Sequence, residues 1–97
     1  MFVGSLSIDL LLGDVHSLKG KRAVIRPILA ELARAHPVSV AEVGDQDLHR
    51  RALLGVAVVS GEPSHCRAVL DACERLVAGR PEIEILSTRQ KLYGEDD

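Results

Sequence analysis

Aromatic residues are almost missing from this chain: Phe2 and Tyr93 are the only two in 97 residues, and there is no tryptophan. Functions that rest on stacked rings are thereby excluded, including a sheet that reads RNA bases with aromatics on its central strands. Asparagine is absent altogether, so an arginine–asparagine acylphosphatase site cannot be assembled. Long apolar runs are lacking too. The stretch from Phe2 to Leu12 is interrupted by Ser5, Ser7 and Asp9, well short of the roughly 18 apolar residues that cross a bilayer. It also lacks the basic leader and small-residue cleavage site of a signal peptide, so a cytoplasmic location without membrane contact is expected. Cysteine is scarce. Cys66 and Cys73 stand seven positions apart on an expected helix, about 10 Å along the axis, too far for an intrahelical disulfide. They read as free thiols in the core.

Excess charge of one sign is missing as well. Twelve Lys and Arg against fourteen Asp and Glu leave a formal net charge of −2. No global field draws the chain to nucleic acid, DNA is not an expected partner, and any polyanion contact must come from a local patch. The histidines His16, His36, His49 and His65 form no H-x-x-x-H, the cysteines form no C-x-x-C, and the adjacent His65 and Cys66 diverge by about 100° on a helix. Neither metal nor cofactor is expected. No Ser or Cys is set against an orienting base, since Ser17 and His16 are merely neighbours, so no catalytic residue is assigned and the chain reads as a non-enzyme.

What the chain does have is aliphatic periodicity. The even positions from Phe2 to Leu12 are apolar or small and the odd ones include Ser5, Ser7 and Asp9, a period-two strand with one buried face. Gly13 and Asp14 punctuate, and Ser17 is placed to cap a helix. Leu18, Ile25, Ile28, Leu29, Leu32 and Ala35 recur at helical spacing over 18 to 35. Pro27 requires either a kink or a helix that starts in earnest near Arg26. After His36-Pro37 a second strand is expected over Val38 to Val43. A polar connector runs from Gly44 to Arg50, and a third strand covers Ala52 to Ser60. Gly61-Glu62-Pro63 turns the chain and Ser64 is expected to cap a second helix. Its inner stripe includes Cys66, Val69, Leu70 and Cys73, with Arg67, Asp71 and Arg75 as ion pairs outside. Gly79 ends it, and Ile83, Ile85, Leu86 and Leu92 belong to a last strand.

The order β-α-β-β-α-β is the split β-α-β pattern of the ferredoxin-like α+β sandwich, a four-stranded antiparallel sheet with two helices on one face. One such domain is expected over residues 1–93, with 94–97 as a frayed acidic tail. The other sheet face is left bare. Val3, Leu11 and either Leu53-Gly55-Ala57-Val59 or Leu54-Val56-Val58 must point to that side. A bare aliphatic face without aromatics suits a second copy of the chain, so a homodimer through the sheet is expected.

The densest polar feature is Ser17-Leu18-Lys19-Gly20-Lys21-Arg22. Cations at a helix N-terminus oppose the helix dipole by some tenths of a kcal/mol each, and a bound anion relieves that. The expected topology brings the connector from Asp45 to Arg51 to the same end. Phosphate contact through Ser17, Lys19, Lys21, Arg22 and Arg50 is one reading; neutralisation by Asp14, Asp45 and Asp47, within the protein or across a dimer, is the other. Glu42 interrupts the valines of the second strand, either as an edge charge or as a partner for the basic loop.

At Ser17 to Arg22 and again at Ser39-Val40-Ala41-Glu42-Val43-Gly44-Asp45-Gln46-Asp47-Leu48, the chain resembles the YlxP-like family of small bacterial proteins, over nearly its whole length. In the family pattern a Trp-Gln pair succeeds the Asp-Leu step, where this chain has His49-Arg50. The resemblance implies a ferredoxin-like fold and, from the translation and ribosome-maturation genes that neighbour family members, a task near RNA or the ribosome. It supplies no catalytic residue. It marks Ser17, Lys19, Lys21, Arg22, Glu42, Gln46 and Asp47 as positions of interest. Three readings follow on these grounds: a dimeric accessory protein touching structured RNA or a ribosomal partner through the basic end, a regulatory module with a small-ligand pocket at the dimer interface, or a purely structural partner subunit with no ligand of its own.

Overall fold

In the computed structural model, which describes residues 1–94, the alternation of Phe2 to Leu12 becomes β1 (Phe2–Leu12), with Leu6, Ile8, Leu10 and Leu12 almost fully buried and the odd positions half-buried. The remaining elements are α1 (Leu18–Ala35), β2 (Ser39–Gly44), β3 (Arg51–Ser60), α2 (Pro63–Ala78) and β4 (Ile83–Tyr93). The four strands form one antiparallel sheet in the order β2-β3-β1-β4, which is the ferredoxin-like α+β arrangement. The expected tail beyond residue 94 lies outside the described residues.

The core is a single aliphatic layer between the sheet and the two helices. Ile28 and Leu32 of α1, Leu70 and Val77 of α2, and Leu54 and Ile8 of the sheet are each at most 1% exposed. Each such side chain contributes about 1.5–3 kcal/mol through burial. Cys66 and Cys73 sit in this layer as free thiols, and burial raises the Cys73 pKa above its ordinary 9.0.

Of the two candidate rows on β3, Leu54-Val56-Val58 is the buried one, so Leu53-Gly55-Ala57-Val59 faces away from the helices. Cross-strand register puts Val3 opposite Val59, Ser5 opposite Ala57 and Ser7 opposite Gly55 on that outer side, and Arg89 and Lys91 of β4 opposite Ser7 and Ser5. The outer face is therefore mostly aliphatic and small on β2 and β3, hydroxylic in the middle of β1 and charged on β4, where Arg89 and Lys91 share it with Glu84 opposite Leu11.

α1 runs unbroken through Pro27. The proline lies on the exposed side, as does Ala23, whose carbonyl loses its helical partner. Two details of α2 differ from expectation. The helix begins at Pro63 itself, with Glu62 at the cap position and no side-chain cap, because proline at the first helical position needs no partner for a missing N–H. Ser64 is thus inside the helix. Among the described residues Asp71 pairs with neither Arg67 nor Arg75; its Oδ1 accepts from Gln90 Nε2 at 3.1 Å, tying α2 to β4. A register shift between Asp9 and Leu10 along β4 turns Leu86 outward, where it is 43% exposed.

Candidate functional site

The start of α1 is set by Ser17, whose extended backbone (φ −153°, ψ 161°) lets Oγ accept the Gly20 N–H at 2.9 Å. The Ser17 oxygen thus serves as an acceptor that caps the helix, which leaves its O–H free to donate. The first turn beyond it has no acidic residue, only Lys19 and then Lys21 and Arg22.

These three cations have different fates because helical spacing points them differently. Lys21 lies on the inner stripe with Ile25 and Ile28 and is only 2% exposed. Its ammonium sits 2.6 Å from Glu42 Oε2 and donates to the Asp45 carbonyl at 2.7 Å. Lys21 is thus withdrawn from any outside ligand, which corrects its reading as an anion contact. The same geometry explains Glu42. On β2 the even positions face the helices, so the acid that interrupts the valines is the counter-ion of a buried lysine. The internal neutraliser is Glu42, with a carbonyl of Asp45, and no side chain of Asp14, Asp45 or Asp47 engages Lys21.

Asp45 adopts a left-handed backbone (φ 57°), a conformation that Asp tolerates better than most residues. The turn is closed by Leu48 N–H donating to the Asp45 carbonyl at 3.0 Å and by Gln46 Nε2 donating to the Glu42 carbonyl at 3.1 Å. Lys21, Glu42, Asp45 and Gln46 therefore form one clasp between α1 and the β2–β3 turn. Asp47 is exposed beside it. Arg50 is turned away from α1: its Nε donates to the carbonyls of Leu12 at 3.2 Å and Gly13 at 2.9 Å, and it lines an open cleft of about 580 Å³ with Pro81, Glu82 and Glu84. One arginine among carboxylates gives that cleft no convergent charge.

Lys19 and Arg22 remain in the open, and the structure adds a third cation that the Ser17-to-Arg22 motif does not contain. Lys19, Arg22 and Arg26 line a shallow dish on α1 whose floor is Ala23 and Pro27. At about 100° per residue, positions 19, 22 and 26 fall within roughly 60° of one another, so the spacing itself held the signal. Among the described residues no acid pairs with any of the three. Two arginines elsewhere are engaged: Arg51 Nη2 donates to both oxygens of Asp9 at 2.9 and 2.8 Å, a contact that holds the guanidinium pKa above its ordinary value, and Arg80 lies 2.7 Å from Glu31 and 3.4 Å from Glu82.

Among the described residues no group of three or more His, Cys, Asp or Glu could hold a metal ion, and no helix is long and apolar enough to cross a membrane.

Residues 3–90 match the family described as "Protein of unknown function (DUF503)". The chain is 32% identical over 91 residues to the uncharacterized protein YlxP of Bacillus subtilis (strain 168), covering 94% of this chain and 99% of that one. Two solved structures share the fold. A crystal structure from Chloroflexus aurantiacus J-10-fl, assigned by name to the antibiotic biosynthesis monooxygenases, superposes with a TM-score of 0.61 at 19% identity, covering 95% of this chain and 93% of the other. A de novo designed protein with a ferredoxin fold, LFR1 1, gives a TM-score of 0.57 at 12% identity, covering 98% and 88%. At these identities the likeness is one of fold alone.

Proposed function

Because the chain belongs to the DUF503 family, whose description assigns no activity, we propose its role from its own surface: it is a non-enzymatic binding protein that contacts the phosphate backbone of structured RNA, free or within a ribosomal partner, through Lys19, Arg22 and Arg26. The observation that carries this reading is the dish on α1. Three exposed cations converge there in the first turns of a helix, no acid among the described residues answers them, and two of them, Arg22 and Arg26, repel each other at i,i+4 spacing. A phosphate removes that repulsion and completes the exposed helix end electrostatically. Small Ala23 and flat Pro27 leave room for a backbone to approach. Contact of this kind positions RNA without reading its bases, which agrees with a surface almost devoid of aromatic rings.

The test is fluorescence anisotropy with a labelled structured RNA at low salt. The triple variant K19A/R22A/R26A should bind at least about tenfold more weakly than the wild type, while Arg34→Ala, on the same helix but outside the dish, leaves binding unchanged. Equal affinity of wild type and triple variant refutes the reading. Thermal stabilisation of the wild type by a small phosphorylated metabolite but not by RNA would favour the regulatory, ligand-binding alternative.

A further inference from the structure

We infer that the outer face of the sheet is the contact surface for a second copy of this chain, related by a twofold axis that crosses the strands near Gly55 and Ser7. The inference stands apart from the RNA reading and uses none of its residues.

The first support is area. Strands of 11, 6, 10 and 11 residues at about 3.3 Å rise and about 4.8 Å spacing cover roughly 600 Å². Two such faces bury about 1,200 Å², the lower bound of a standard specific interface. The second is anatomy. Val59 (62% exposed) and Val43 (55%) stand among the aliphatic residues of β2 and β3. Among the described residues the one ion pair in this field, Asp9–Arg51, is already closed on itself, and the cations Arg89 and Lys91 stay on edge strand β4. The aliphatic field of β2 and β3 thus lies beside a row of small serines on β1, and those cations sit on the opposite edge strand.

The third support selects the occupant. The face carries both knobs and the hollows that fit them. Val43 and Leu53 stand at one end of β2 and β3, and the small Ser39 and Ala57 stand at the other end of the same two strands. Gly55, between the two rows, has no side chain, and a Cβ there would come within 2.8 Å of Val43 Cγ1, so Val43 leans across it. Rotation about the twofold lays Leu53 on the partner's Ala57 and Val3 on the partner's Leu11, and brings the two Val43 side chains, each beside its own Gly55, together at the axis. A surface complementary to itself makes a closed isologous dimer, whereas an unrelated partner has no reason to find knob and hollow at matching places. The result is four layers with both sets of helices outward.

Sedimentation velocity of the full chain tests this. At roughly 50 µM the wild type should sediment as a dimer. Ala57→Lys, an exposed position where a lysine is buried against partner leucine, should raise the dissociation constant by about 100-fold or more while circular dichroism stays native. Val59→Lys gives a second variant should the first fail to fold. Because Arg89 faces its own copy across the axis, added salt should hold or strengthen the dimer, opposite to its effect on phosphate contact. A monomeric wild type overturns the inference, whatever else the face captures. So does a dimer that survives both lysines.

Discussion

Replacing Glu42 with alanine isolates the buried clasp at the start of α1. The Lys21 ammonium would remain with side-chain exposure of 3%, held only by the Asp45 carbonyl. Removing one partner of a fully buried pair costs about 3–5 kcal/mol. Glu42 retains 22% side-chain exposure, so water reaches part of the site and the cost falls to about 2–3 kcal/mol. In a domain of this size each kcal/mol lowers the melting temperature by about 4–8 °C, so the loss should be roughly 10–20 °C by circular dichroism, with a matching fall in urea midpoint. The double variant K21M/E42L supplies the control. Filling the same space with apolar groups removes the stranded charge, and its stability should return to within about 1 kcal/mol of the wild type. An E42A penalty below about 0.5 kcal/mol, or a double variant as unstable as the sum of the single ones, refutes the claim that this pair is buried and coupled.

The packing makes three further outcomes testable. Gly4→Ala places a Cβ 2.9 Å from Leu70 Cδ1 and 3.2 Å from Cys66 Cβ, so it should cost about 1–3 kcal/mol in denaturant titrations; an unchanged midpoint would contradict the close approach of β1 and α2. Cys66 and Cys73 should resist thiol reagents in the native state and react on unfolding. The Cys73 thiol is raised by burial, so its contribution to stability is whole below the unfolded thiol's ordinary 9.0 and is lost as pH climbs from there through the higher folded value. Cys73→Ala should flatten that alkaline loss; an identical pH profile would count against it.

The fold was legible because its signal is long-range and repeated. Alternation over eleven residues of β1 and the 3.6-residue stripe of α1 each bury one face, and the structure uses both over the same boundaries. Local chemistry was harder to read. Ser64 looked like a cap, yet Pro63 fits the first helical position so well that the helix starts there. Asp71 has cations at i±4 and bonds instead to Gln90, a residue far along the chain that no helical rule brings near. At the site, the motif Lys19 to Arg22 gave the charge but not its direction. Counting 100° per residue from Ile25 and Ile28 places Lys21 inward, which calls for an acid, and Glu42 is the one set among valines on the facing side of β2. The same count brings Arg26 into line with Lys19 and Arg22. Arg50 could not be resolved this way, since its orientation is fixed by carbonyls at the end of β1.

The most direct measurement is the slope of log affinity against log salt for structured RNA. Three phosphate contacts per copy predict a slope of about −2.7 and an affinity loss of roughly 40-fold between about 50 and 200 mM salt. In K19A/R22A/R26A that slope should fall close to zero. The same steep slope in wild type and variant, or no salt dependence in either, would place the phosphate contact elsewhere or nowhere on α1.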